Sequence, residues 1–204
     1  MSTPRVYIAF PCHGFVAPET AHSLFMLGLH LGQDPPMKWI GFQRYSSSNL
    51  SHSRAWLATD AKERGATHIL WIDSDMKFPR DALHRLLARN EAIVGCNYTR
   101  RAPPYTPSAL DLDEKPIYTR GDSVGLEAAG ILGFGLLLTS ADVFDKLSHP
   151  WFAQLDDDGY CTEDVVWCRK VRDAGLTIWL DHDLSREVAH IGSVAFTYAD
   201  AVGG

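Results

Sequence analysis

Short apolar runs alternate along the chain with stretches in which apolar residues recur every three or four positions. "RVYIAF" (5–10) is a β-rich run closed by Pro11 and Gly14, and it reads as a first buried strand. From Glu19 to Gly32, the residues Ala21, Leu24, Leu27, Gly28 and Leu31 recur at helical spacing, with Gly32 as the stop. "KWIGFQRY" (38–45) reads as a second strand. "NLSHSRAWLATDAKERG" (49–65) follows as a helix, with Leu50, Leu57, Ala58 and Ala61 on one face and Gly65 at its end. "THILWID" (67–73) is a third strand. The spacing predicts a helix over 79–90, with Pro79 in its first turn, and "AIVGCNY" (92–98) is a fourth strand. Strand and helix alternate through short links, so the expected fold is α/β: a mixed, mainly parallel sheet with helices on both faces.

The pattern breaks after residue 98. "TRRAPPYTPSALDLDEKP" (99–116) carries four prolines and little periodicity. A loop this long inside a compact domain is usually functional or mobile. Beyond it, "PIYTR", "GLEAAG" and "GILGFGLLLTS" read as strands and "ADVFDKL" as a short helix. A helix is expected over 162–175, with Thr162 as its N-cap and Gly175 as its stop. "TIWLDHD" (177–183) and "REVAHIG" (186–192) close the chain as strands. The expected organisation is one domain over 1–204, with halves at 1–98 and 124–204 joined by a mobile loop at 99–123.

Composition adds limits. Apolar residues make up 46% and charged residues 22% of 204, enough for one core without staples. The net charge of −6 argues against a general polyanion binder, although a local basic loop could meet a phosphate backbone. Cys12, Cys96, Cys161 and Cys168 form no CxxC pair, which points to reduced thiols and a cytoplasmic setting. Asn49-Leu50-Ser51 and Asn97-Tyr98-Thr99 match glycosylation acceptors, but the N-terminus is a poor signal peptide. The longest apolar stretch, around 131–138, is too short and Gly-rich to span a membrane. Nothing in the pattern fixes an oligomeric state.

The candidate chemistry starts at "WIDSDM" (71–76). Asp73 and Asp75 end an apolar strand two residues apart, so both carboxylates are expected on one side, beyond the carboxyl edge of the sheet where ligands bind. Like charges there call for a cation, and carboxylate oxygens suit Mg²⁺ or Mn²⁺ shared with substrate phosphates. The competing reading is a strand-end pair solvated in a turn or capping the next helix. Glu163 and Asp164 open a helix, where the dipole alone favours acids; alternatively one is a base beside the metal. His190 is either a hydrogen-bonded core histidine or a nitrogen ligand. Arg100 and Arg101 are either solvated or poised over a diphosphate.

The order of these pieces resembles the nucleotide-sugar glycosyltransferases of the GT-A (Rossmann-like) fold, particularly small family-2-like enzymes, including phage-encoded ones. The matching segments are "HILWIDSDM", "AIVGCNYTRR", "GFGLLLTSADVFDKL" and the stretch from "TEDVVWCRKVRDAG" to "VAHIG". The resemblance implies a nucleotide-sugar-binding first half and an acceptor and catalytic second half. Pro11 would line the nucleoside pocket, and Arg54 would approach the nucleotide, although Ala55 stands where the family commonly has Asn. Asp73 would lie near the ribose or a metal-bound water, Asp75 would bind the metal, and His190 would complete its ligands. Asp164 would be the general base and Glu163 would contact the acceptor. The implied donor is a UDP-sugar. The implied acceptor is a hydroxyl on a hydroxymethylated base of phage DNA or on a glycan, in the host cytoplasm if the chain is phage-encoded. Trp151, Phe152 and Tyr160 are candidates for stacking on a sugar or base, with core packing the default. Two other readings compete: a haloacid-dehalogenase-like phosphatase, in which an aspartate is the nucleophile, and a protein that binds a nucleotide or glycan without turnover.

Overall fold

A computed structural model describes residues 3–33, 37–101, 104–156 and 159–192. Its strands are β1 (Arg5–Pro11), β2 (Lys38–Tyr45), β3 (His68–Ile72), β4 (Met76–Lys77), β5 (Ile93–Gly95), β6 (Leu126–Ala129), β7 (Leu136–Ser140), β8 (Leu155–Asp156), β9 (Gly159–Tyr160), β10 (Ile178–Asp181) and β11 (Ala189–His190). Its helices are α1 (Pro18–Gln33), α2 (Leu50–Glu63), α3 (Ala82–Ala88), α4 (Val143–Lys146), α5 (Glu163–Asp173) and α6 (His182–Ser185).

Seven strands form one sheet in the order β2-β1-β3-β7-β5-β10-β6. β1 pairs in parallel with β2 and β3, and β5 with β10. β7 runs antiparallel between β3 and β5, and β6 runs antiparallel at the far edge. The result is the mixed, mostly parallel GT-A-like sheet that the sequence led us to expect. Strands from both halves of the chain interleave in it, so the main sheet belongs to neither half alone.

Alternation along the strands sorts the core into two layers. Val6, Ile8, Phe10, Leu70 and Ile72 face one cluster with Leu27 of α1 and Leu83 and Leu86 of α3. Tyr7, Ala9, Ile69 and Trp71 face the other, with Leu57 and Ala61 of α2, Phe144 of α4 and Trp167 of α5. Trp151 and Phe152 belong to this second layer, 7% and 4% exposed. They pack on Phe144 and Trp167, so the stacking role does not fit them. The side chain of Tyr160 lies outside the described residues.

Gly65 and Gly175 end their helices as expected. Each has a left-handed φ (+73° and +72°), and the following residue, Ala66 or Leu176, donates back to Ala61 or Val171. Gly32 does not end α1, which runs on to Gln33. Pro79 precedes α3 rather than entering it, because the chain first makes a turn in which Ala82 donates to Pro79. Residues 116–120 form no strand; only Pro116 bridges, to Leu110. The strand expected over 177–183 stops at Asp181, whose side chain accepts from Leu184 and starts α6. That expected over 186–192 shrinks to β11, which pairs with β4 outside the main sheet.

The Pro-rich segment is folded back on itself where described. Thr99 bridges to Pro107, and Leu110 bridges to Pro116 and Ile131. Buried Asn97 anchors it: its amide donates to the Ile117 carbonyl at 2.7 Å and accepts from Ala109 N–H at 3.1 Å. Asn49 accepts from His52 N–H as the cap of α2. Both sequons therefore have structural duties. None of the four cysteines is in a disulfide, and no described helix is long and apolar enough to cross a membrane.

Candidate active site

The carboxyl ends of β1 and β3 open on a cleft of about 760 Å³. All nine residues singled out above line it: Pro11, Arg54, Asp73, Asp75, Arg100, Arg101, Glu163, Asp164 and His190. The sheet brings them together because β3 delivers the aspartates, α2 and α5 cross the same edge, and β11 returns beside β4.

Arg54 is the buried centre of the cleft floor, 2% exposed. One guanidinium nitrogen lies 3.1 Å from Asp73 and another 2.7 Å from Glu163, while the plane sits 4.6 Å over the Phe134 ring. Burial pushes the Asp73 carboxyl up; Arg54 pulls it down, and the Asp75 charge adds to the rise. Glu163 is likewise pushed up by burial against the pull of Arg54. Glu163, expected at the acceptor, lines the cleft at 7% exposure with its carboxylate paired to this arginine. Arg54, expected on the nucleotide, has its charge shared between two protein carboxylates.

Asp75 sits in the turn between β3 and β4, so the two aspartates do not lean on a single cation. Its partners are Arg101 at 2.8 Å and the Nε2 of His190 at 3.4 Å. Burial raises the Asp75 carboxyl, but His190 and Arg101 bring it below its ordinary value. His190 arrives through β11: it pairs with Met76, and Ile191 N–H donates to the Asp75 carbonyl at 2.7 Å. Its Nδ1 faces the Thr99 carbonyl at 3.1 Å. Donation there orients the ring so that Nε2 faces Asp75; that contact needs a proton on Nε2, whose place a metal ion between the two groups would take. Arg101 crosses Gly192, where a Cβ would meet its Cδ at 3.2 Å.

These contacts test the fit of a divalent ion. No group of three His, Cys, Asp or Glu among the described residues is arranged to hold one alone. Asp75 and His190 form a two-donor set of the kind that Mg²⁺ or Mn²⁺ completes with substrate phosphates. The Arg101 guanidinium stands in as the positive charge at that carboxylate. The donor set fits the ion once Arg101 yields its place.

Asp164 occupies the first turn of α5, half-buried, and accepts from Val165 N–H at 2.9 Å. It lines the cleft without an ion pair among the described residues, unlike its neighbour Glu163. Thr162 sits at the N-cap position, but its side chain makes no capping bond. Arg100 is exposed at the rim, its backbone held by Thr106.

Tyr98 is a cleft residue that sequence reasoning did not single out. Its ring packs edge-on to His190 at 5.1 Å, and its hydroxyl accepts from Gly135 N–H at 3.0 Å. A Cβ on Gly133 or Gly135 would fall 2.2 Å or 2.8 Å from that side chain. The "GFG" punctuation was the available signal: the two glycines make room for Tyr98, and Phe134 between them supports Arg54.

No protein-family model matches the chain, and no curated protein matches it. Solved structures do resemble it. A197 from STIV superposes with a TM-score of 0.55 at 9% identity, over 95% of this chain and 97% of that one. GalNAc-T7, solved with UDP, GalNAc and Mn²⁺, superposes with a TM-score of 0.58 at 12% identity, over 94% of this chain but 44% of that one. Likeness at these identities is likeness of fold.

Proposed function

We propose that this protein is a metal-dependent glycosyltransferase that moves a sugar from a nucleotide sugar, UDP-linked, to an acceptor hydroxyl with inversion. The observation that carries this reading is the meeting of Asp75, His190 and Asp164 in one cleft at the carboxyl edge of a GT-A-like sheet. The GalNAc-T7 neighbour, which holds UDP and Mn²⁺, supports the choice of donor and ion.

Asp75 and His190 hold the ion, with Asp73 behind them. When bound, the ion supplies positive charge against which a departing diphosphate is stabilised. Pro11 and the residues after β1 line the nucleoside end of the cleft. Arg100 and Arg101, on the cleft side of the 99–123 segment, bring their charge to the diphosphate. Asp164 takes the proton of the acceptor hydroxyl as it attacks. Arg54 and Glu163 position the floor: Arg54 holds Asp73, and Glu163 holds Arg54. The acceptor hydroxyl belongs to a hydroxymethylated base in DNA or to a glycan.

A phosphatase would need one aspartate as a nucleophile. Asp73 is tied to Arg54 through both carboxylate oxygens, at 3.1 and 3.3 Å, which blunts it for attack.

Two variants separate binding from transfer. Asp75→Asn is expected to abolish the Mn²⁺-dependent rise in melting temperature with UDP, and Asp164→Asn to keep that rise but lose transfer. Unchanged UDP affinity in the first, or normal transfer by the second, sinks the assignment concerned.

A further inference from the structure

A second cavity, about 670 Å³, lies behind the cleft and shares only Tyr98 and His190 with its lining. The edge-on pair of those two rings is the wall between them. The cavities differ in sign. The cleft sets four carboxylates, Asp73, Asp75, Glu163 and Asp164, against three arginines, Arg54, Arg100 and Arg101. The second cavity has none in its lining, but presents Arg120 and Arg186, in a chain whose net charge is −6. Arg186 leans on Asp183 and the Ser123 carbonyl, whereas the Arg120 guanidinium has no hydrogen bond or ion pair shown among the described residues.

The rim of this cavity is held in place. Asn97 binds the Ile117 carbonyl, and Arg120 N–H donates to Ser123 Oγ at 3.0 Å. Between them, Thr119 Oγ1 lies 3.0 Å from His182 Nδ1, and His182 Nε2 lies 2.8 Å from Glu127. Donation from Nε2 to Glu127 leaves Nδ1 to accept the Thr119 hydroxyl proton. With 117 and 119 tied inward, Tyr118 faces out at 57% exposure beside Arg120. A planar aromatic next to a guanidinium and hydroxyls suits a phosphate joined to a ring.

We propose that this cavity is an acceptor subsite that binds phosphate: Arg120 and Arg186 take the phosphate, and Tyr118 stacks on the sugar or base that bears it. As an acceptor subsite it rests on the transferase reading of the cleft; as a phosphate site it does not. An acceptor anchored there needs only to extend past the Tyr98–His190 layer to present a hydroxyl in the cleft.

The test is direct binding, without donor, of three probes: inorganic phosphate, a hexose phosphate and a short single-stranded oligothymidylate. The wild-type protein is expected to bind at least one. Arg120→Glu should weaken that binding roughly tenfold or more, since a charge-assisted contact is both lost and reversed. Arg120→Gln should weaken it less, and Tyr118→Ala should weaken the ring-bearing probes but not inorganic phosphate. Arg101→Gln, which removes a cation from the cleft, should bind the probes like wild type, and melting temperatures matched to wild type show that each variant is folded. A preference for the oligonucleotide identifies a nucleic-acid strand as the acceptor, and equal binding of the hexose phosphate identifies a small phosphorylated one. Failure of all three probes to bind overturns the subsite, as does Arg120→Glu binding like wild type. A loss in Arg101→Gln equal to that in Arg120→Glu also overturns it, because the probe then occupies the cleft. Failure of the transferase reading alone would appear as intact probe binding with no sugar transfer.

Discussion

Arg54 brings a full positive charge to a position 2% exposed, on the polar side of an otherwise apolar helix face. Such a charge persists only when paired, and Asp73 and Glu163 pair it from two other elements. Arg54→Met should therefore cost about 3 kcal/mol, the low end for a broken buried pair, because Asp73 keeps 26% exposure. Adding Glu163→Gln should recover part of that loss by removing the stranded carboxylate. Urea melts of the single and double variants check this, and a double variant no more stable than Arg54→Met would contradict it. At this scale the sequence was readable in identity but not in pairing. Arg54, Asp73 and Glu163 each stood out, yet nothing local to any of them says that they face one another.

At the scale of elements, the antiparallel strand β7 and its "GFG" entry decide the shape of the cleft. Gly133 and Gly135 let the Tyr98 ring lie against the backbone, and that ring in turn supports His190. Gly133→Ala should cost about 1–3 kcal/mol through overpacking, partly relieved in a Tyr98→Phe background that removes the closest atom. Thermal melts decide it, and a neutral Gly133→Ala would mean that the Tyr98 ring is free to move aside. The strands β1, β2 and β3 and the helices α2 and α5 were legible because periodicity and glycine stops are local signals. β4 was not, and β11 was legible only as a longer strand over 186–192. Each is two residues long and exists only because the other pairs with it. The "PIYTR" run has strand-like residues but bonds the preceding segment only at Pro116 and Ile117, and its later residues form the rim of the second cavity.

For the molecule as a whole, two apolar layers on one twisted sheet leave little sulfur within reach of solvent. Cys12, Cys96 and Cys168 are buried and Cys161 is half-buried in the cleft. Burial pushes the Cys168 thiol up to about 12 and raises Cys96 as well, so neither forms thiolate near neutral pH. Alkylation at pH 8 should label Cys161 first, with Cys96 and Cys168 reacting only as the chain unfolds in urea. Mass spectrometry of timed samples reads the order, and early labelling of Cys168 would argue against the packing of α5 on the sheet.

Sequence alone determined the alternation of strands and helices, the two-faced sheet and the cast of acidic, basic and histidine side chains. Those features follow from period, composition and turn chemistry within a few residues. Tertiary structure decided who meets whom. It split "WIDSDM" between two separate cations, paired Glu163 with Arg54, and placed Arg101 and His190 at Asp75. It also set an arginine-lined cavity behind His190. The physical reason is that pairing of charges depends on which strand edges lie side by side, and the insertion of β7 and the return of β11 set that at long range in the chain.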